Sequence, residues 1–303
     1  MSCFALQMTF RESPVLDHLP TPVRLPRPGS AADLAESALL LAHPRFREAS
    51  LASARAAVAL YQGNRFLNVV ANDRGRFIVA LLATALHHGL AGPGGLTAAR
   101  LKATCAETGL CSPGRARALL ALMQWAGYLA PAEQGRLVPT RRLVDMHRER
   151  IAPQLATAAL VAPEAAPAAD RIGEAAVLAG FCLAQCEAFV AGFRFVEHAP
   201  ALSVFVERNA GLLVLLSLKL VEVGEMPAAT ASVAALARRF HVSRPHVGRM
   251  LRDAEAAGLV RRTGESVRMQ PALLAALNCF HAALFRLNAV SAVAGLAWAD
   301  RRR

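Results

Sequence analysis

The chain has 303 residues, enough for two or three domains with a substantial core. Hydrophobic residues make up 54% of it, much of this alanine and leucine, which is typical of close-packed helices. Lysine and arginine exceed aspartate and glutamate by 34 to 22, giving a net charge of +12, and a chain this basic favours an anionic partner, either nucleic acid or a membrane surface.

The sequence lacks the motifs of the common enzyme and cofactor classes. It contains no GxGxxG, P-loop, GxSxG or HExxH pattern, and its six cysteines form no CxxC pair. Cys182 and Cys186 are one helical turn apart, but no nearby histidine shares their face, so we expect buried free thiols in a reducing cytoplasm. We therefore predict no enzyme activity, no cofactor and no metal site.

Neither a targeting segment nor a membrane span is expected. The N-terminus lacks a basic region followed by a long apolar run, as a signal peptide requires. The most apolar run, Gly211 to Leu220, is shorter than the ~18 residues that indicate a span. We interpret it as a buried core helix and expect a cytoplasmic protein without a membrane partner.

The chain is predicted to begin with an irregular segment followed by amphipathic helices. Residues 1–30 contain five prolines and little periodicity, so they are expected to be an extended or disordered lead. Hydrophobic periodicity then predicts two pairs of helices, with a break at Asn72–Gly75. These helices are Ala31–Ala42, Ser50–Gly63, Arg65–Ala71 and Arg76–His88.

A first helix–turn–helix pattern follows, from Leu101 to Leu129. Ser112 is placed to cap the second of these helices, and Gly127 is placed to end it. Tyr128–Leu129 and Arg136–Val138 then form a candidate β-hairpin.

The strongest pattern in the chain lies from Ser232 to Met269. Its first helix has one buried face with i, i+3, i+4, i+7 spacing, formed by Val233, Leu236, Ala237 and Phe240. Ser243 can cap the second helix and Gly258 can end it, and a hairpin follows. At about 100° per residue, the second helix presents two faces. The apolar face is Val247, Met250, Leu251 and Ala254, and the polar face is His246, Arg249, Arg252 and Asp253.

The run A-x-x-F-x-V-S-R-P-H-V-x-R-x-L-x-x-A-E-x-x-G-L-V within this stretch resembles the winged helix-turn-helix domain of bacterial transcription regulators of the MarR, GntR and Crp kind. The resemblance covers about 40 of the 303 residues. It implies that the second helix enters the DNA major groove and that the hairpin grips the backbone or minor groove. The residues expected to contact DNA are Ser243, Arg244, His246, Arg249, Arg252, Arg261, Arg262 and Arg268.

We interpret the two helix–turn–helix stretches as copies of one unit. They align without a gap at an offset of 131 residues, with Ser112 on Ser243 and Gly127 on Gly258. The likeness extends upstream, where Gly75 falls on Gly211. We therefore predict a mainly α fold with two tandem winged helix-turn-helix domains, additional helices and a C-terminal helix.

The predicted halves are residues 31–162 and 163–303, joined by a short Pro/Ala linker at 162–167. Their winged parts span about 76–142 and 211–269. The C-terminal helix, 271–299, is interpreted either as an oligomerisation element or as a helix that packs on its own half.

The two copies differ in charge. From 232 to 268 there are eight arginines against three acidic residues, or +5, whereas 101 to 137 carries four basic against two acidic residues, or +2. At the positions of His246, Arg249, Arg252 and Asp253 the first copy has Arg115, Ala118, Ala121 and Leu122. We expect the second copy to read DNA and the first to serve packing or dimerisation, with Arg115 and Arg117 as secondary phosphate contacts.

These features predict a DNA-binding transcription regulator that acts as a homodimer on double-stranded DNA. Two alternatives remain open: a plasmid-type replication initiator, in which both copies contact DNA, and a winged-helix scaffold for protein contacts. Helices within 31–90 and 170–225 could also enclose an apolar effector pocket, for which the sequence offers no polar group that identifies a ligand.

Overall fold

The computed structural model describes residues 23–65, 67–68, 74–90, 92–264 and 266–303, and this part of the chain is mainly helical. The α-helices in chain order are α1 (Ala31–Ala42), α2 (Phe46–Tyr61), α3 (Arg74–His87), α4 (Ala98–Glu107), α5 (Pro113–Trp125), α6 (Arg141–Ala158), α7 (Ala166–Arg171), α8 (Ala175–Val190), α9 (Phe195–His198), α10 (Ser203–Val206), α11 (Gly211–Glu222), α12 (Val233–Arg239), α13 (Arg244–Ala256) and α14 (Pro271–Asp300).

Two small antiparallel sheets accompany the helices. The strands are β1 (Leu96–Thr97), β2 (Leu129–Pro131), β3 (Arg136–Pro139), β4 (Val260–Thr263) and β5 (Ser266–Met269). The first sheet has the order β1-β3-β2, and β4 and β5 form a hairpin.

The first helices agree with the sequence in part. The prediction of α1 is confirmed, and Ser30 caps it by accepting a hydrogen bond from the Asp33 amide. The second helix begins at Phe46, one turn before the predicted Ser50. The third begins at Arg74, so Arg74 and Gly75 are helical rather than part of a break.

Three predictions for this region fall partly outside the described residues. Most of the lead, residues 1–22, lies outside, and residues 23–28 form neither helix nor strand. Of the predicted helix Arg65–Ala71, the described residues 65, 67 and 68 are helical. Asn72 and Asp73 also lie outside the described residues.

The two copies have matching local structure. The second helix of each, α5 and α13, starts and ends 131 residues apart, as the alignment predicts. Ser112 and Ser243 both cap these helices, each accepting a hydrogen bond from the amide three residues on. Gly127 and Gly258 follow the helix ends with φ of 73° and 69°, a conformation in which glycine carries no side-chain penalty. Both predicted hairpins are present, β2–β3 and β4–β5.

Strand β1 is not among the predicted elements. Its two residues pair with Leu137 and Arg136 of β3, which makes the first sheet three-stranded. In the second copy a 3₁₀ turn, Ala228–Ala231, precedes α12 at the equivalent place. The copies therefore share their helices and hairpin but differ at this strand.

The halves exchange helix contacts with one another. Within each half, α2 packs on α6 and α8 packs on α14. Between the halves, α3 packs on α8 and α11 packs on α2, and α6 also packs on α14. The pattern is reciprocal, as at the self-complementary interface of a two-fold dimer. One continuous core runs through both halves. The predicted boundary at 162 and 163 therefore separates two sequence repeats that share a core.

Close helix packing is visible where α8 crosses α14. A Cβ on Gly180 would lie 2.5 Å from the carbonyl oxygen of Gly295, so only glycine permits this approach. Gly211 plays a related role at the start of α11, because a Cβ there would collide with the backbone of Phe205.

The predicted linker is a packed element. Residues 163–165 form a 3₁₀ turn that leads directly into α7. Ala165 and Ala168 are fully buried, and both elements pack on α14. The small side chains of this Pro/Ala stretch allow its close packing against a helix.

The C-terminal helix α14 is a core helix. It contacts α8 most extensively and also packs on α1, α6 and α7, and the buried Arg286 pairs with Asp33 of α1. It therefore packs on its own half through α7 and α8, as one of the two interpretations predicts, and also on α1 and α6 of the other half.

By length and composition alone α14 could also cross a membrane, although 61% of its most apolar window is buried inside the protein. The bent pair Pro200–Val206 and Gly211–Glu222 passes the same test when the two are taken together. The predicted core role of Gly211–Leu220 agrees with the burial of α11, where even Lys219 is only 5% exposed.

Candidate nucleic-acid interface

Helix α13 is held in place by an apolar face and an N-terminal cap. Val247, Met250, Leu251 and Ala254 are all 0% exposed, as their spacing predicts. The helix packs on α12, α10 and β4. Because the buried residues fix the rotation of the helix about its axis, the side chains on the opposite side are directed away from the core.

Three arginines occupy this outer side of α13. Arg244, Arg249 and Arg252 are exposed, and none forms an ion pair with a residue in the described part of the chain. A Cβ on Gly248 would lie 3.6 Å from Nη1 of Arg252, so this guanidinium lies back along the helix over Gly248. Three cations without carboxylate partners give this helix face a positive potential.

Two other residues expected to contact DNA, at the start of α13, instead form hydrogen bonds within the protein. Ser243 Oγ accepts the His246 amide at 3.3 Å, which is the cap that the sequence predicts. His246, expected to face base edges, is instead half-buried, with Nε2 3.0 Å from the carbonyl oxygen of Asn209. The loop before α11 reaches this ring, a contact that helical periodicity cannot show.

The hairpin brings Arg261 and Arg268 together. They are directly opposite in the β4–β5 register and both are exposed. Like charges at such a position destabilise a hairpin, and here the Arg268 guanidinium is partly neutralised by Glu222 at 2.9 Å. Arg261 has no ion pair with a described residue. The pair forms a second basic site beside α13.

Arg262 does not join this site. It lies on the other face of the hairpin and is half-buried. Its amide donates to Glu255 Oε1 at 2.9 Å, and its guanidinium lies 3.7 Å from the other carboxylate oxygen. The expectation that Arg262 contacts DNA is therefore replaced by a structural role, in which it ties β4 to the end of α13.

Asp253 links α13 to the loop that follows α10. Its carboxylate accepts a hydrogen bond from Arg208 at 2.6 Å, with both side chains partly exposed. Together with the His246–Asn209 contact, this pair joins α13 to residues 208 and 209 at two points.

The matching helix of the first copy has a different surface. Arg115 and Arg117 are exposed near its start, as are Ala118 and Ala121 at the positions of Arg249 and Arg252. Trp125 follows with 76% of its surface exposed. This outer face is therefore basic only in its first turn and apolar beyond it.

Other candidate chemistry is limited. The described residues contain no group of three or more histidine, cysteine or acidic side chains arranged to hold a metal ion. Cys182 and Cys186 are buried free thiols, as predicted, and burial raises the pKa of Cys182 to about 12. A thiol with so high a pKa is a poor nucleophile near neutral pH.

Comparison of the chain with protein-family models, with curated proteins and with solved structures found no match.

Proposed function

We propose that the chain is a sequence-specific DNA-binding transcription regulator, built from two winged helix-turn-helix units, in which α13 is the major-groove reader. The observation that carries the proposal is the exposed, unpaired arginine set on α13, beside the basic hairpin. The order helix, turn, capped helix and hairpin supports it, because a winged unit presents these two elements to DNA together.

The roles of the individual residues follow from their positions. Arg244 and Arg249 are placed to reach base edges or adjacent phosphates, and Arg252 lies one turn further along. The amides at the start of α13, with the Ser243 hydroxyl, form an anion site of the kind that helix N-termini provide. Arg261 and Arg268 contact the backbone or the minor groove, and His246 positions the helix through Asn209.

The first copy does not present a comparable reading surface. Its Arg115 and Arg117 are retained as secondary phosphate contacts. The apolar remainder, ending in the exposed Trp125, suits a protein contact. We propose that the partner is a second copy of this chain, since a single chain carries only one reading helix whereas a palindromic site offers two half-sites.

A salt titration of DNA binding by the full chain tests the proposal. Each neutralised phosphate contributes about −0.9 to the slope of log K against log salt concentration, so the four unpaired arginines of α13 and β4 predict about −3.6 per chain if all contact phosphate. Replacing Arg249 and Arg252 by alanine should reduce the slope by about 1.8 or, where they contact bases, should relax sequence preference.

The matched control replaces Arg115 and Arg117 on the equivalent helix of the first copy. We expect this double variant to retain most of the affinity. An equal loss of binding in the two double variants would refute the assignment of reading to α13, and binding that is insensitive to salt would refute the DNA role itself.

A further inference from the structure

A cavity of about 220 Å³ lies between the two halves of the chain. Its wall includes α2, α3 and α6 of the first half and α8, α11 and α14 of the second. The sequence predicts a pocket enclosed by helices within 31–90 and 170–225. The observed wall also includes α6 and α14. An apolar protein cavity of about 150 Å³ binds benzene, which has six non-hydrogen atoms, so in proportion this volume suits about nine.

Arg150 is a cation in the wall of this largely apolar space that has no anionic partner among the described residues. The guanidinium of Arg150, on α6, lies 2.9 Å from the ring centroid of Phe77. Its Nη1 is shielded from solvent and has no hydrogen-bond partner, and Arg150 forms no ion pair with any residue that the structure describes. Desolvation lowers the pKa of Arg150 to about 10. The side chain still carries its charge at neutral pH, and a charge partly withdrawn from water without a counter-charge is unfavourable.

The other two arginines of the wall are satisfied by the protein. Arg194 donates to the carbonyl oxygens of Phe189, Phe193 and Thr108. Arg208 is paired with Asp253. Arg150 is therefore the wall arginine whose guanidinium is left unsatisfied by the described residues.

A second polar group in the wall also lacks a partner. Asn288, on α14, is 1% exposed, and its Oδ1 accepts a hydrogen bond from Gln185 at 3.0 Å. Its Nδ2 has no hydrogen-bond partner. Both unsatisfied atoms, Arg150 Nη1 and Asn288 Nδ2, are donors. A group that complements them must accept hydrogen bonds and carry negative charge, which describes a carboxylate.

We propose that this cavity binds an amphipathic monocarboxylate, with its carboxylate on Arg150 and its apolar body against the aromatic and aliphatic wall. Asn288 supplies a further donor to the polar end of the ligand. One guanidinium left unsatisfied matches a monoanion, and the apolar wall excludes highly polar anions such as sugar phosphates. This proposal concerns binding alone and goes beyond the DNA-binding function.

The cavity wall also reaches the helix assigned to DNA. Val206 and Arg208 line the cavity. Arg208 holds Asp253 of α13 at 2.6 Å, and the carbonyl oxygen of Asn209 contacts His246. A ligand that displaces this segment therefore also displaces α13. This regulatory consequence rests on the proposed function, whereas binding of the ligand does not.

Titration calorimetry on the full chain without DNA tests the binding proposal, with octanoate and benzoate as carboxylate probes and 1-octanol as the neutral counterpart. Arg150→Met keeps most of the side-chain length and removes the charge. Because a hydrogen bond to a charged group contributes about 1.5–3 kcal/mol, octanoate affinity should fall roughly ten- to hundred-fold while 1-octanol affinity is unchanged. Arg141→Met is the control, since Arg141 lies on the same helix with 93% of its side chain exposed.

A second variant tests the location of the site. Ala57 lines the cavity from α2, and Ala57→Phe should abolish binding of both octanoate and 1-octanol by filling the space. The proposal is overturned if Arg150→Met binds octanoate as tightly as the parent chain does. It is also overturned if the parent chain binds neither benzoate nor any straight-chain carboxylate from hexanoate to dodecanoate. Because no DNA is present, these outcomes leave the DNA-binding proposal standing.

Discussion

The buried histidine on α6 makes stability depend on pH in a defined direction. His147 is 0% exposed, and its Nε2 lies 3.1 Å from Thr84 Oγ1 and 3.3 Å from the carbonyl oxygen of Ala80. Desolvation lowers its pKa from 6.5 to about 3. His281 on α14 is 1% exposed, and burial lowers its pKa to about 3 as well.

The folded state keeps these rings neutral while the unfolded state takes up protons below pH 6.5. Their contribution to stability is therefore fully present above pH 6.5 and is lost as the pH falls towards the folded pKa. At pH 5 the unfolded chain is 1.5 units below its pKa, and at about 1.36 kcal/mol per unit each ring loses about 2 kcal/mol. Going from pH 8 to pH 5 should thus cost about 4 kcal/mol for the two histidines.

Glu187 acts in the opposite direction, because its burial raises its pKa to about 7. The test therefore compares the change in unfolding free energy between pH 8 and pH 5 in a variant with the same change in its parent. Urea denaturation at pH 8 and pH 5 should show that His147→Gln reduces the loss of unfolding free energy by about 2 kcal/mol. His241→Asn, at an exposed turn position with φ of 53°, is the control and should behave like the parent. An unchanged pH dependence in His147→Gln would show that His147 is not held neutral.

Three further predictions concern packing, coupling and association. Gly180→Ala should lower the unfolding free energy by about 1–3 kcal/mol in urea denaturation through its clash with Gly295, whereas Gly114→Ala, which meets no atom within 4 Å, should not. Asp253→Asn should leave octanoate affinity unchanged but bring the ratio of DNA affinities with and without octanoate close to one, measured by fluorescence anisotropy; an unaltered ratio would exclude this route. Trp125→Glu should shift a dimer towards monomer in light scattering, and a dimer that persists unchanged would place the interface elsewhere.

Local sequence signals predict helix α13 accurately. Ser243 as cap, Pro245 in the first turn and Gly258 after the end each have a specific local conformation. Because these signals act over a few residues, the helix could be placed within a residue of its observed ends. The same reasoning located α5 and both hairpins.

Contacts between distant segments could not be predicted in this way. The apolar faces of α3 and α11 are clear in the sequence, but nothing in them specifies that each packs on a helix of the other half. Strand β1 is similarly invisible, since its two residues become a strand only by pairing with β3. The 3₁₀ turn and α7 appeared to be a linker because burial of small residues depends on the neighbouring α14.

The candidate sites show the same limit. Helical spacing placed Arg249 and Arg252 on the outer face correctly, yet His246 and Arg262 are engaged by Asn209 and Glu255. The isolation of Arg150 was also beyond the reach of the sequence. An arginine without a partner differs from a paired one only through the fold around it.

Selection of bound sequences from a random pool of double-stranded DNA tests the central claim most directly. We expect the full chain to enrich a defined motif. This enrichment should be lost when Arg249 and Arg252 are replaced by alanine but retained when Arg115 and Arg117 are replaced. A pool that remains random with the parent chain, at salt concentrations where it is folded, would contradict the assignment of sequence-specific DNA reading to this protein.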